Sequence, residues 1–511
     1  MSDPMTAAAA PPAQPKQTFL GHPFGLVTLF GTEFFERFTY YGMRALLVLF
    51  LVATTSAANP GFGLDKETAG AIYGLYAGSV YLGCVPGGWI ADRLIGQRNA
   101  VFYGGIIIAA GNFILALPAS APVFYLGLAV IVIGVGLLKP NVSAMVGSLY
   151  EGQPGARRDA GFSIFYMGIN LGAFVSPLVA GTIGEAWNWR GGFFCCGLFM
   201  LLGVVLFRFT GRWLEGAGAP PPAADPATQK RRWQIVWGGF AALAAVIAWM
   251  YFKGSPVPIT ELAQYFGAAM LALAVFFFGY VLFFAGLTTA ERKRVGVIAI
   301  FFLCAVIFWG GFEQQATTFN LFAQDYTDRS LLGSWFPEAV HPAAWYQSIN
   351  PLCIIIFAPF FAWFWVALGA RNLDPSAPAK MGLGLVFLGV GFLVMMWAAE
   401  LVVSTNGKVG PTWLLLAYLI HTFGELCLSP VGLSNVTKLS PPKFVGQMMG
   451  IWFLGSAIGN LIAGLAGGHV GGSQAADLPG QFLVMALVGA GAGIFILLIS
   501  RGLRGWIGEH K

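Results

Sequence analysis

Seven ionisable residues stand deep inside long apolar stretches of this 511-residue chain: Glu33, Glu36, Arg37, Arg44, Lys139, Glu313 and Glu425. At the centre of a bilayer each such charge costs about 2.5–3.5 kcal/mol, so each must border a polar cavity or meet a partner. The chemistry open to such a set is ion pairing, proton carriage by carboxyl groups and recognition of a charged solute. Glu33, Glu36, Arg37, Tyr40, Tyr41 and Arg44 recur at helical spacing and form one stripe. Along it, carboxylate and guanidinium groups three and four residues apart can pair. The trio Glu33, Glu36 and Arg37 is then either a structural ion-pair knot or part of a proton path. Arg44 has no acid beside it. Lys139 precedes Pro140 in mid-span, where the proline loosens the helix and frees backbone acceptors. Glu313 has no cation within a helical turn and needs either its proton or a partner from another helix.

The distribution of this set is informative in itself. The first part of the chain supplies Glu33, Glu36, Arg37, Arg44 and Lys139, with more cation than the later part, which supplies Glu313 and Glu425 without Lys or Arg at comparable depth. A cavity between the two parts is positive on one wall and negative on the other. A short zwitterion with separated charges matches both walls, while a simple anion or cation leaves one unmatched.

The elements that must position these groups are membrane helices. With 57% hydrophobic and 10% charged residues and a mean hydropathy of +0.72, the chain is too apolar for a soluble fold. Fourteen apolar spans can be drawn, at roughly 24–52, 67–94, 98–118, 122–148, 160–185, 191–210, 234–252, 262–287, 295–323, 343–369, 380–402, 411–437, 445–467 and 479–501. Of the 28 Lys and Arg residues, twenty lie at the termini or in alternate loops, five in the opposite loops and three within spans. That bias predicts both termini on the cytoplasmic side, and membrane topology rather than nucleic-acid binding accounts for the net charge of +6. The six cysteines, all in apolar segments without ligand-like spacing, read as packing residues. The organisation expected is a disordered tail over 1–20, a six-helix bundle over 21–212, and a linker with an inserted two-helix hairpin over 213–290. A second six-helix bundle over 291–504 and a tail over 505–511 complete it.

Several motifs resemble one family. Glu33-x-x-Glu36-Arg37-Phe-x-Tyr40-Tyr41-Gly, Gly136-x-x-Lys139-Pro140-Asn141, Phe165-Tyr166-x-x-Ile-Asn170-x-Gly172, Gln347-x-x-Asn350-Pro351 and Glu425-x-x-x-Ser429-Pro430 are similar to signatures of the proton-dependent oligopeptide transporters of the major facilitator superfamily. The resemblance implies an all-α polytopic membrane fold of two six-helix bundles, and bacterial members typically add a helix pair between them. It implies that Glu313 pairs across the cavity with Arg44 and couples protons, with Glu33, Glu36, Arg37 and Lys139 sharing that task. By the same resemblance Arg44 and Lys139 take a peptide carboxylate, and Glu425 with Asn350 its amino group. Tyr40, Tyr41, Tyr81 and Asn170 hold the backbone, and Trp309, Ser429 and Trp452 shape side-chain pockets. Asn170 also reads as helix-packing glue, Tyr81 and Trp309 as core aromatics, and His421 as an ordinary packing histidine. Asp92, Arg93 and Arg98 resemble the superfamily's loop motif, in which an acid and arginines pair to lock or release the inner gate.

The function implied is proton-coupled import of di- and tripeptides across a bacterial inner membrane by alternating access, with one copy sufficient and no cofactor beyond the proton. The alternative within the family is a proton symporter for nitrate or another small solute. No intramembrane metal cluster or Gly-x-Ser-x-Gly nucleophile occurs in the sequence, which argues against an enzyme.

Overall fold

The computed structural model describes residues 18–19, 21–118, 120–222, 224–252 and 257–508. Most of the expected tail over 1–20 lies outside them, and its last described part, Thr18–Phe19, pairs antiparallel with His22–Pro23. Helices α1 (Gly25–Val52), α2 (Lys66–Ile90), α3 (Gln97–Ala116), α4 (Ala121–Leu149), α5 (Gly155–Ser176) and α6 (Trp189–Thr210) form the first half. Helices α7 (Pro226–Phe252) and α8 (Ile259–Phe283) form a hairpin. The second half contains α9 (Thr289–Phe312), the short α10 (Thr318–Tyr326), α11 (Ile349–Ala370), α12 (Ala377–Thr405), α13 (Thr412–Leu439), α14 (Val445–Gly472) and α15 (Leu478–Ile507). Among the described residues, eleven helical segments are long and apolar enough to cross a membrane. The stretches α1, α2 and α7 fall outside that set; α1 carries four charges along its length.

Local chemistry sets the helix starts. The Asp65 carboxylate accepts the Thr68 N–H at 2.8 Å and opens α2, Asn188 caps α6, and Thr288 with Glu291 forms a reciprocal capping box at α9. Two expectations need correction. The span drawn as continuous over 295–323 is broken: α9 stops at Phe312, Glu313–Ala316 makes a single tight turn, and Thr317 leaves helical geometry before α10 resumes. Carbonyls freed there find donors elsewhere, since Tyr418 Oη donates to Gln315 O at 3.3 Å. The predicted C-terminal tail over 505–511 begins as helix, because α15 continues to Ile507.

The halves meet along a seam of α2 against α14. A Cβ on Gly70 would stand 2.4 Å from Gly464 O, and one on Gly74 2.9 Å from Leu461 O, so the backbones themselves touch. The contact continues at Gly78, opposite Ala457. Seven residues further along the same stripe Val85 is 57% exposed, and Gly450 has no neighbour within 4 Å. The seam is therefore shut on the side away from the chain termini and open on the termini side. Helix α8 leans on it, with Phe266 near Gly78 and Gly267 against Leu461.

Gly464→Val places branched carbons against the Gly70 carbonyl and should lower stability by about 1–3 kcal/mol through overpacking. Gly450→Val faces open space and should leave the thermal midpoint of the solubilised protein unchanged. Parallel melting curves of the two variants check this.

Candidate functional site

Helix α1 brings its stripe to the interior. Arg37 Nε lies 2.8 Å from Glu33 Oε1 and 2.5 Å from Glu36 Oε2. All three residues are buried, so in this conformation the trio is a closed ion-pair knot. Lys139 on α4 does not join it. Its Nζ sits 4.1 Å above the Tyr81 ring and 5.9 Å from that of Tyr40, and among the described residues it makes no ion pair. Tyr40 and Tyr41 meet edge to face at 5.2 Å. The Arg37 guanidinium stands 5.6 Å from the Tyr40 ring and that of Arg44 5.4 Å from the Tyr41 ring, an arrangement that keeps cations on aromatic faces away from bulk water.

One turn above, Arg44 Nη2 reaches Glu313 Oε2 at 2.9 Å, with both side chains 6% exposed. This is the partner that neither residue has on its own helix, and it joins the two halves. The break after α9 positions it: Glu313 opens the tight turn, and Thr317 Oγ1 anchors the turn on Ala463 O at 3.1 Å. Asn320, on α10, donates from Nδ2 to Ala45 O at 2.9 Å, next to Arg44 in the chain.

The opposite wall carries the other acid. Asn350 Nδ2 on α11 donates to Glu425 Oε2 at 2.9 Å and to Thr422 Oγ1 at 3.0 Å, both on α13. The Trp309 Nε1 and Ser429 Oγ atoms are buried without a hydrogen-bond partner among the described residues. The Trp452 ring packs on α13, within 2.2 Å of where a Gly432 Cβ would be. The structure thus brings Tyr40, Tyr41, Tyr81, Arg44 and Lys139 together on one half, and Asn350 with Glu425 on the other.

The structure bears on three further expectations. Asn170 is 4% exposed and donates one of its two amide hydrogens to Tyr166 O at 2.9 Å, while Gly168 and Gly172 beside it receive Phe30 and Phe34 of α1, so its helix face also packs. Asp92 forms no ion pair with Arg93 or Arg98 among the described residues. Arg98 Nε instead donates to Ala217 O at 2.6 Å, with a second bond to Glu215 O, and Arg232 holds the Arg93 carbonyl. These arginines clamp the connector between the halves because its carbonyls outcompete a carboxylate that solvent already hydrates. His421 is fully buried, hydrogen-bonded through Nε2 to Leu388 O at 3.0 Å and stacked on Phe319, which is a packing role.

A sequence profile of the POT family matches residues 98–473, well over half of the chain. The chain belongs to the POT family. Among curated relatives, the peptide transporter YePEPT of Yersinia enterocolitica is 42% identical over 94% of this chain and 95% of its own. The di-/tripeptide transporter of Lactococcus lactis subsp. cremoris is 35% identical over 97% and 99%. The crystal structure of a peptide transporter POT in complex with alafosfalin superposes with a TM-score of 0.87 at 40% identity, covering 96% of this chain and 97% of that one. A POT family transporter in complex with 5-aminolevulinic acid gives 0.85 at 32% identity, covering 96% and 98%. This POT-family chain is accordingly a multi-pass membrane transporter with the major facilitator fold and not an enzyme.

Sequence reasoning missed Thr422, Asn320 and a set of contacts on the sealed side. Thr422 stands three residues before Glu425, so helical spacing could have flagged it. Asn320 was hidden by the helix break, which shifts its face away from the one that a continuous helix through Glu313 would present. On the sealed side Lys66 Nζ pairs with Asp325 Oδ2 at 2.7 Å, again half to half, and no spacing rule links residues so far apart.

Replacing His421 with Ala should remove ring packing and orphan the Leu388 carbonyl, costing about 1–3 kcal/mol. Thermal melts should show the loss, and the pH profile of transport by the surviving folded fraction should match that of the unaltered protein.

Proposed function

We propose that this POT-family protein is a proton-coupled symporter of di- and tripeptides, working by alternating access in a bacterial inner membrane with both termini in the cytoplasm. The single observation that carries the reading is the buried Arg44–Glu313 pair at 2.9 Å, a charge contact that spans the two moving halves and that one proton can break. Its relatives' names, peptide transporter and di-/tripeptide transporter, support the substrate class.

With both termini in the cytoplasm, a seam sealed away from them corresponds to an inward-facing conformation. With the site open to the other side, a proton on Glu313 removes the countercharge of Arg44. The freed guanidinium, with Lys139 beyond Tyr81, receives a peptide carboxylate, and Glu425, oriented by Asn350, receives the ammonium group. Backbone groups of the peptide meet Tyr40 and Tyr41. Trp309 and Trp452 bound the side-chain pockets, and Ser429 offers a hydroxyl there. Once the halves rock and the site faces the cytoplasm, loss of the proton restores the Arg44–Glu313 pair, which competes with the peptide carboxylate and expels it. The Glu33–Glu36–Arg37 knot holds α1 rigid beneath this exchange and adds carboxylates to the proton path. Protons are the only coupling ion in this scheme, and one copy of the chain holds every group it uses. An inward proton moving down about 100 mV gains roughly 2.3 kcal/mol, sufficient for more than tenfold accumulation.

A second reading is a small non-peptide zwitterion as the natural cargo. It is favoured by the relative solved with 5-aminolevulinic acid, a molecule whose ammonium and carboxylate are separated along a short chain and so match the same two walls.

In proteoliposomes with an inward proton gradient, radiolabelled dialanine should accumulate saturably, and excess tripeptide should suppress it. If the second reading holds, 5-aminolevulinic acid accumulates and dialanine does not compete. Glu313→Gln, which keeps the shape and removes the titration, should preserve peptide exchange at equal pH and reduce gradient-driven accumulation about tenfold or more. Uphill uptake at the unaltered level by this variant would defeat the coupling role.

A further inference from the structure

Glu185 was not distinguished by any motif, yet its carboxylate meets three groups of the other half. It lies in the helical turn Ile183–Trp187, between α5 and α6 of the first half, on the sealed side. Its Oε2 accepts the Ala343 N–H at 2.8 Å and its Oε1 the Ala344 N–H at 2.7 Å. These are free N–H groups at the start of the helical segment Ala343–Ser348 that leads into α11, donors that no residue of their own helix can satisfy. Arg329, also of the second half, brings its Nη1 to 3.8 Å from Glu185 Oε2. Beside them Trp345 Nε1 donates to Thr182 Oγ1 at 2.8 Å.

The carboxylate is held ready on its own side. Asn59 donates to Gly184 O at 2.7 Å, and its Oδ1 accepts the Trp189 N–H at 3.1 Å, so the turn that carries Glu185 is tied to the α1–α2 loop. Around it lies a cavity of about 560 Å³ on the sealed side, lined by Lys66, Asp325, Arg329, Glu338 and Glu185. Both oxygens are thus used by the facing half, and the contact sits at the edge of a space wide enough to admit water.

We propose that Glu185 is the latch of the outer gate: a carboxylate of one half that caps the incoming helix of the other and must let go each time the site opens outward. Unlike the Arg44–Glu313 pair, it touches no group assigned to cargo or to proton coupling. Its donors are backbone N–H groups, which water in the cavity can take over when the halves part. The latch therefore releases without stranding a buried charge and closes again without a side chain having to search for a partner. The arrangement requires two acceptor oxygens. A glutamine would turn an NH2 group toward one of the two N–H donors, so Glu185→Gln removes the grip at constant volume.

The test reads the gate directly. Spin labels at Ser56→Cys and Ser334→Cys, exposed positions in the sealed-side loops of the two halves, report the outer separation in nanodiscs without cargo, in a Cys84→Ser background because the other five cysteines are buried. Glu185→Gln should raise the long-distance population about tenfold relative to the unaltered latch. Glu185→Asp, one methylene too short to reach both N–H groups, should give an intermediate rise and guards against a folding defect in the amide variant. Distance distributions unchanged in both variants would overturn the proposal. The readout needs no substrate, so a failure here leaves the transport reading untouched, and a failure of peptide uptake leaves the latch standing.

Discussion

The whole arrangement rests on one constraint: a charge buried at mid-membrane must have a countercharge, and Arg44 finds its own on the other half of the molecule. Breaking a buried pair by removing one partner is far more costly than never having built it. Here the two partners ride on bodies that move relative to one another. Whatever separates them must bring a substitute charge at the same moment, so a proton and an anionic group become conditions of movement rather than accessories to it. The break in the helix after Phe312 serves the same constraint. It lets Glu313 lean to α1 while α10 continues upward to place Asn320 against Ala45 and Asp325 against Lys66.

Specificity follows from how the remaining charges are distributed. Lys139 is left over a tyrosine face instead of in the Glu33–Glu36–Arg37 knot, where Arg37 already pairs with both acids. On the facing half, Asn350 fixes one oxygen of Glu425, which has no other hydrogen-bond partner or ion pair among the described residues. In the proposed cycle, one cation and one half-bound anion, each without an ion pair among the described residues, meet the ends of a cargo rather than its middle, which suits tolerance toward side chains.

Much of this was legible in the chain. Apolar spans located the fourteen long helices, since hydropathy and helix length are set by the same bilayer. The charges inside those spans gave themselves away by their cost, and one first-half cation, Arg44, does meet a second-half acid, Glu313. What stayed hidden were contacts whose partners carry no side-chain signature. Glu185 grips two backbone N–H groups, and His421 a backbone carbonyl on α12, so neither partner could be read from residue types. Asp92 misled for the converse reason: its motif promised arginines, and the connector carbonyls of Glu215 and Ala217 had already taken Arg98. The helix break at Thr317 has no proline to announce it, only the run Gly310-Gly311 before and polar residues after.

The glycine seam of α2 and α14 has a kinetic meaning. Most closing surfaces in proteins must freeze rotamers each time they meet, and every long side chain immobilised carries an entropic cost of up to about 2 kcal/mol. At Gly70, Gly74, Gly464 and Gly468 there is almost nothing to freeze, because main chain meets main chain. The seal can form and part with its conformational entropy nearly constant, so temperature acts on the cycle mainly through lipid and water rather than through the interface itself.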